Sequence, residues 1–288
     1  MPDRPSLLIV GHGSRSAAGV AEYWDFADVV KQVDPSLDVG CGFIELAEPG
    51  LDSAVDALVA RGATSVVATP LVLLGAGHMK NDGPDALHRA RHRHPGVTFA
   101  YARHLGIHPR VLEVAEVRIR GVLGESDLTD SADLTDSAVV LVSRGSSDPD
   151  ANADLYKVAR LLGDKRGLGV VEPAFISLAL PDVPSALERC RRLGARRIAV
   201  VPYFLFTGVL VDRIGAQTLT WAAEHPDVDV RVGPHLGPDP AIARVLLERY
   251  GESLTGDVRM NCDLCVYRVS LPGYEQPHHH HHEHTGGG

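Results

Sequence analysis

The chain repeats itself. Phe43-Ile44-Glu45-Leu46-Ala47-Glu48-Pro49 returns as Phe175-Ile176-Ser177-Leu178-Ala179-Leu180-Pro181, an offset of 132 residues from Phe43 to Phe175. Val10-Gly11-His12-Gly13-Ser14 returns at the same offset as Val142-Ser143-Arg144-Gly145-Ser146, and His104-Leu105-Gly106 returns one residue short of it as His235-Leu236-Gly237. A tandem duplication restricts the fold to a unit of about half the chain and makes each half a control for the other. Residues that hold the fold should survive in both halves, whereas residues that do chemistry can survive in one. His12 and His78 occur only in the first half and face Arg144 and Leu210 in the second. Glu45 and Glu48 are likewise replaced by Ser177 and Leu180.

Within each half, short β-branched runs alternate with longer amphipathic stretches. Residues 7–10, 37–45, 65–74 and 98–102 read as strands, and residues 17–33, 51–61, 84–94 and 109–122 as helices, with Gly62 as a C-cap. The second half repeats the order, with strands at 138–142, 170–176, 198–206 and 228–232. The run 65–74 is continuously apolar, as in a strand buried on both faces. This alternation predicts an α/β fold of two tandem doubly wound domains, each a parallel sheet of about four strands flanked by helices. The expected division of the 288 residues is a first domain over 1–123, an acidic linker over 124–137, a second domain over 138–255 and a tail over 256–288. In the linker, Asp127-Leu128-Thr129-Asp130-Ser131-Ala132 is nearly copied by Asp133-Leu134-Thr135-Asp136-Ser137-Ala138, which predicts a flexible connection.

Phosphate binding wants a basic surface, so a formal net charge of −9 argues against nucleic acid as a partner. No run of about 20 apolar residues is present to span a membrane. The apolar run before Gly11 is too short for a signal sequence and reads as a first buried strand. Cysteine is sparse, with single thiols at Cys41 and Cys190 and one C-x-x-C at Cys262 and Cys265, a usage that fits a reducing, cytoplasmic setting. No Walker A sequence occurs, and Ser16 stands at the third glycine position of the dinucleotide fingerprint, so no nucleotide cofactor is expected.

The chemistry gathers at strand ends of the first half. Gly11-His12-Gly13-Ser14 follows the first strand, where ligands bind open parallel sheets, and its glycines leave the imidazole uncrowded. Neutral imidazole near pH 7 both ligates metals and takes protons. Leu73-Leu74-Gly75-Ala76-Gly77-His78 follows the third strand, so His78 should emerge on the same edge as His12 and make an open metal site with it. Glu45 and Glu48 follow the second strand. Either carboxylate can relay protons, steer a cation or complete a ligand set, while Glu48 is equally placed to cap the next helix. His104 and His235 are kept in both halves and read as structural. His88 and His92 stand four residues apart on a predicted helix, a spacing that can clasp a metal but more commonly marks a solvated face. Cys262 and Cys265 supply half of a tetrahedral zinc or iron–sulfur site. Histidines from His278 to His284, interrupted by Glu283, would bind divalent ions weakly.

Gly-His-Gly-Ser after the first strand, Phe-Ile-Glu-Leu-Ala-Glu-Pro after the second and Pro-Leu-x-Leu-x-x-Gly-x-His after the third resemble the class II tetrapyrrole chelatases, in the long duplicated form of sirohydrochlorin chelatase. The resemblance covers roughly residues 5 to 250. It implies ATP-independent insertion of cobalt or ferrous iron into sirohydrochlorin, for cobalamin or siroheme biosynthesis. It implies His12 as metal ligand and proton acceptor, Glu45 as its catalytic neighbour and His78 as second metal ligand. It places the macrocycle against Glu48 and Leu73, Leu74, Gly75, Ala76, Gly77 and His78. In some long members, Met-x-Cys-x-x-Cys before a histidine-rich tail accompanies an iron–sulfur centre, which implies Cys262 and Cys265 as accessory metal or cluster ligands. Basic residues such as Arg15, Lys80 or Arg103 are candidates for the substrate carboxylates. Arg144 cannot ligate as a histidine does, so a single active site is expected in the first half, with Arg144 binding a substrate carboxylate across the cleft. Two other readings stand beside this one: a non-catalytic metal carrier, and a chelatase for another tetrapyrrole.

Overall fold

The computed structural model describes residues 4–124, 136–166 and 168–255. The first half runs β1 (Ser6–Gly11), α1 (Ala17–Val33), β2 (Val39–Phe43), α2 (Leu51–Ala60), β3 (Ser65–Pro70), α3 (Gly77–Arg93), β4 (Thr98–Tyr101) and α4 (Pro109–Leu123). The second runs β5 (Ser137–Ser143), α5 (Pro149–Arg166), β6 (Val170–Phe175), α6 (Val183–Arg192), β7 (Arg197–Pro202), α7 (Val209–Glu224), β8 (Asp229–Val232) and α8 (Pro240–Thr255). The halves form two parallel four-stranded sheets, ordered β2-β1-β3-β4 and β6-β5-β7-β8. β1 is central in its sheet, with Leu7 registered against both Val39 and Val67.

Each central strand is buried on both faces, and its side chains alternate between two cores. Leu7 and Ile9 join Val139 and Leu141 of the other sheet in a central cluster. Leu8 and Val10 face outward onto α2 and α3, among Leu58, Met79 and Leu87, and Val140 and Val142 do the same with Leu187 and Trp221. Leu7, Leu8 and Ile9 are fully buried, each contributing roughly 1.5–3 kcal/mol of transfer free energy.

The last helix of each half crosses to the other half. α4 packs on β7 and β8, and α8 packs on β3 and along α1. The sheet-and-helix layers therefore differ from the sequence repeats by one helix each. This exchange fixes the facing of the two sheets. Arg249 of α8 is buried and donates from Nε and Nη2 to the Leu105 carbonyl at 3.1 and 2.8 Å.

Several local expectations need correction: the second strand is shorter than 37–45, and the strand expected over 198–206 ends at Pro202. The third strand ends at Pro70 rather than at Leu74, so Leu73 and Leu74 lie in the loop to α3. That helix begins at Gly77 rather than Pro84, and Pro84 lies inside it. Interior proline costs about 3 kcal/mol by removing an N–H and crowding the preceding turn. Tertiary contacts hold residues 77–83 helical despite it. Met79 is buried in the outer core, its carbonyl accepts from Tyr101 Oη at 2.9 Å, and Lys80 is pinned by ion pairs. Most of the acidic linker, together with Cys262, Cys265 and the histidine tail, lies outside the described residues.

Candidate active site

β1 delivers Gly11-His12-Gly13-Ser14 to the sheet's carboxyl edge, where the strand order reverses between β1 and β3, the place at which open parallel sheets bind ligands. Two backbone bonds tie this loop to the exit of β2, Ile44 N–H to Gly11 O at 2.9 Å and Glu45 N–H to His12 O at 3.1 Å. Gly13 takes φ +98°, and a Cβ there would stand 1.7 Å from the Glu45 carbonyl oxygen. Only glycine lets the His12 and Glu45 loops approach this closely. The second half builds the same turn, with Gly145 at φ +81° and bonds from Ile176 and Ser177 N–H to Ser143 and Arg144 carbonyls at 2.9 and 3.1 Å. The backbone is shared between the halves, and the side chains it carries are not.

The two loops meet across the cleft. His12 Nε2 lies 3.5 Å from Glu45 Oε1 and 3.4 Å from Arg144 Nη1. A guanidinium N–H can only donate, so the Arg144 contact uses an unprotonated Nε2, whereas a carboxylate can only accept and needs Nε2–H. Glu45 and Arg144 are thus alternative partners for one nitrogen in its two protonation states. His12 is 28% exposed and Glu45 42%, so a ligand reaches both from solvent.

His78 is the second residue of α3, so the backbone brings it to the carboxyl edge of β3, the strand beside β1. Of the loop before it, Leu73 is buried in the central core and Leu74 packs partly against it. Gly75 lies over His104, whose ring would stand 2.7 Å from any Cβ there. Burial pushes the His104 imidazole down to about 4, reinforced by the charges of Arg249, Lys80 and Arg103 and opposed by Asp150. His104 is therefore a neutral support under the loop at neutral pH. Its counterpart His235 instead meets Glu22 of α1 at 2.9 Å, and Glu22 also accepts from Thr207 N–H at 2.6 Å.

Lys80, in the first turn of α3, is 7% exposed and reaches Asp148 at 2.9 Å and Asp150 at 3.0 Å, both just beyond the loop that carries Arg144. This buried junction sets the start of α3 against the Arg144 loop. Repeat comparison carried no signal for it, because Asp148 and Asp150 align with Ser16 and Ala18. Two of the cations expected to meet substrate carboxylates are engaged elsewhere. Lys80 is spent on this junction, and Arg103 forks onto Glu252 at 2.6 and 2.8 Å. Arg15 and Arg144 remain exposed at the loop tips. Glu48 Oε2 accepts from Gly50 N–H at 2.9 Å, at the start of α2. Cys41 and Cys190 are buried, and burial pushes their thiols up to about 11 and about 12, so both stay protonated at neutral pH. Among the described residues, no three His, Cys, Asp or Glu side chains converge as a metal cage, and no helix is long and apolar enough to cross a membrane.

Comparison with known proteins agrees with this architecture. The CbiX family model matches twice, over residues 6–122 and 138–253. The chain is 39% identical over 267 residues to a sirohydrochlorin cobaltochelatase of Priestia megaterium, covering 92% of this chain and 85% of that protein. It is 29% identical over 250 residues to a sirohydrochlorin ferrochelatase of Bacillus subtilis, covering 87% and 92%. The solved structure of SirB from Bacillus subtilis with Fe3+ superposes with a TM-score of 0.77 at 29% identity, covering 90% of this chain and all of that one. Two matched units, each with its own four-stranded sheet, make this chain a member of the CbiX family in its long, duplicated form.

Proposed function

We propose that this protein inserts a divalent metal, cobalt or ferrous iron, into sirohydrochlorin in the cytoplasm without nucleotide hydrolysis, at one site in the N-terminal half. The reading rests on one observation above all, the convergence of Glu45 and Arg144 on Nε2 of His12 at the strand-order switch. The names and metals of the relatives support it independently.

Insertion exchanges two pyrrole protons for one metal ion, so a base must stand beside the metal. In our reading, His12 and His78 hold the incoming ion, with Leu73, Leu74, Gly75, Ala76, Gly77 and Glu48 along the macrocycle. The rest of the coordination is water, so the ion can leave for the ring. The substrate is a polycarboxylate, and Arg144 is free to rotate from His12 to one of its carboxylates. That rotation exposes the Nε2 lone pair to the metal. As the metal passes to the ring, Nε2 takes the two pyrrole protons in turn, each time turning to Glu45, which stabilises the imidazolium and passes the proton to solvent.

The test is anaerobic insertion into sirohydrochlorin, followed by absorbance, with each metal against the non-enzymatic rate. Wild type should accelerate insertion, and His12→Ala should lose about 10²–10⁴-fold of that acceleration, the range of general-base catalysis. His78→Ala should raise the metal concentration needed for half-maximal rate. No acceleration with either metal would overturn the chelatase reading in favour of a metal carrier.

A further inference from the structure

Away from the crevice, α3 carries a pair of histidines that the reaction does not use. His88 and His92 are one helical turn apart, with His92 exposed and His88 half-buried. Their rings meet edge to face, with centroids 4.7 Å apart and planes at 84°, and Nε2 faces Nε2 at 3.3 Å. Zinc–imidazole bonds run about 2.0–2.1 Å, so two such nitrogens on one ion stand roughly 3.0 Å apart in an octahedral arrangement and roughly 3.4 Å in a tetrahedral one. The observed separation falls inside that bite. In the metal-free pair, one Nε2–H donates to the other nitrogen; a metal ion would take that proton's place as the donor ring shifts its proton to Nδ1.

The surrounding charge does not oppose a cation. Arg89 is held by Asp52 and Asp85, Arg93 by Asp52 and Asp56, and Arg91 donates to the Phe99 carbonyl at 2.9 Å. His94 is taken up by Asp56 at 2.6 Å. The guanidinium groups on this turn are thus engaged by carboxylates or a carbonyl, and the two imidazoles are engaged with each other.

We propose that His88 and His92 form a second, surface site for a divalent transition-metal ion, with water completing the coordination. Imidazole pairs take cobalt, nickel, copper, zinc or ferrous ions and leave magnesium and calcium to oxygen ligands. Ten residues of helix, at 1.5 Å each, set His88 about 15 Å along α3 from His78, so the site is distinct from the crevice. Its existence does not depend on the proposed reaction.

The experiment is peptide-resolved diethylpyrocarbonate labelling of the full chain, with zinc or cobalt as the probe. Resolution by peptide separates this pair from the tail histidines. Only the unoccupied fraction reacts, so labelling of His88 and His92 should fall along one shared saturation curve, by about tenfold at ten times the dissociation constant. Magnesium should protect neither. His92→Ala, at an exposed position where alanine favours the helix, should abolish protection of His88 at the same metal concentration. Protection that survives His92→Ala, protection by magnesium, or none with either transition metal would each overturn the site.

Discussion

His104 makes the stability of this fold sensitive to mild acid. The folded protein holds its imidazole neutral down to about pH 4, against 6.5 for a free histidine, first because it is buried and then because Arg249, Lys80 and Arg103 surround it. Between those two values the unfolded chain binds the extra proton and the folded one does not, so stability is lost as pH falls. At 1.36 kcal/mol per unit, the full shift is worth about 3 kcal/mol. About 2 kcal/mol of it is gone by pH 5, where most carboxylates are still ionised. Urea unfolding of wild type and His104→Gln at about pH 7.5 and about pH 5 isolates this contribution, because the other titrating groups are common to both proteins. The variant should be less stable at the higher pH, yet lose about 2 kcal/mol less than wild type on acidification. Equal losses in the two proteins would show that His104 is not held neutral by the fold.

Two further outcomes follow from the site's construction. Gly13→Ala would place a Cβ 1.7 Å from the Glu45 carbonyl at φ +98°. It should cost about 1–3 kcal/mol in urea unfolding and slow metal insertion as the His12 and Glu45 loops part; wild-type stability and rate would contradict the close approach. Lys80→Met leaves Asp148, 2% exposed, without its cation. Breaking one side of such a buried pair costs about 3–5 kcal/mol, and Asp148→Asn in the same chain should restore part of it in the same assay; a loss under about 1 kcal/mol would mean the junction is solvated.

The repeat and its alternating pattern make the architecture legible in the sequence. Period-two burial in β1 and β5 places alternate residues in the central and outer cores, which a continuous apolar run already implies for a parallel sheet. α1 has the limits expected from the amphipathic pattern, and the structure shows local groups holding its start, where Ser16 accepts from Gly19 N–H. The start of α3 departs from expectation because its proline is a local signal, while Tyr101, Asp148 and Asp150, which hold the turns before that proline, are distant in sequence. The exchange of α4 and α8 between the sheets is not legible for the same reason, since it rests on contacts with strands of the other repeat.

The sequence by itself determined that the two halves carry different side chains on the same turns. His12 and Glu45 against Arg144 and Ser177 is a difference in covalent composition on glycine-built turns that both halves share, and no folding is needed to see it. Only the tertiary structure decided that Arg144 meets His12 itself, and that Lys80 is committed to Asp148 rather than open to a ligand. Contacts between residues 132 or 68 positions apart are set by how the two sheets face each other. That facing follows from burial summed over the whole central core, which no local pattern encodes.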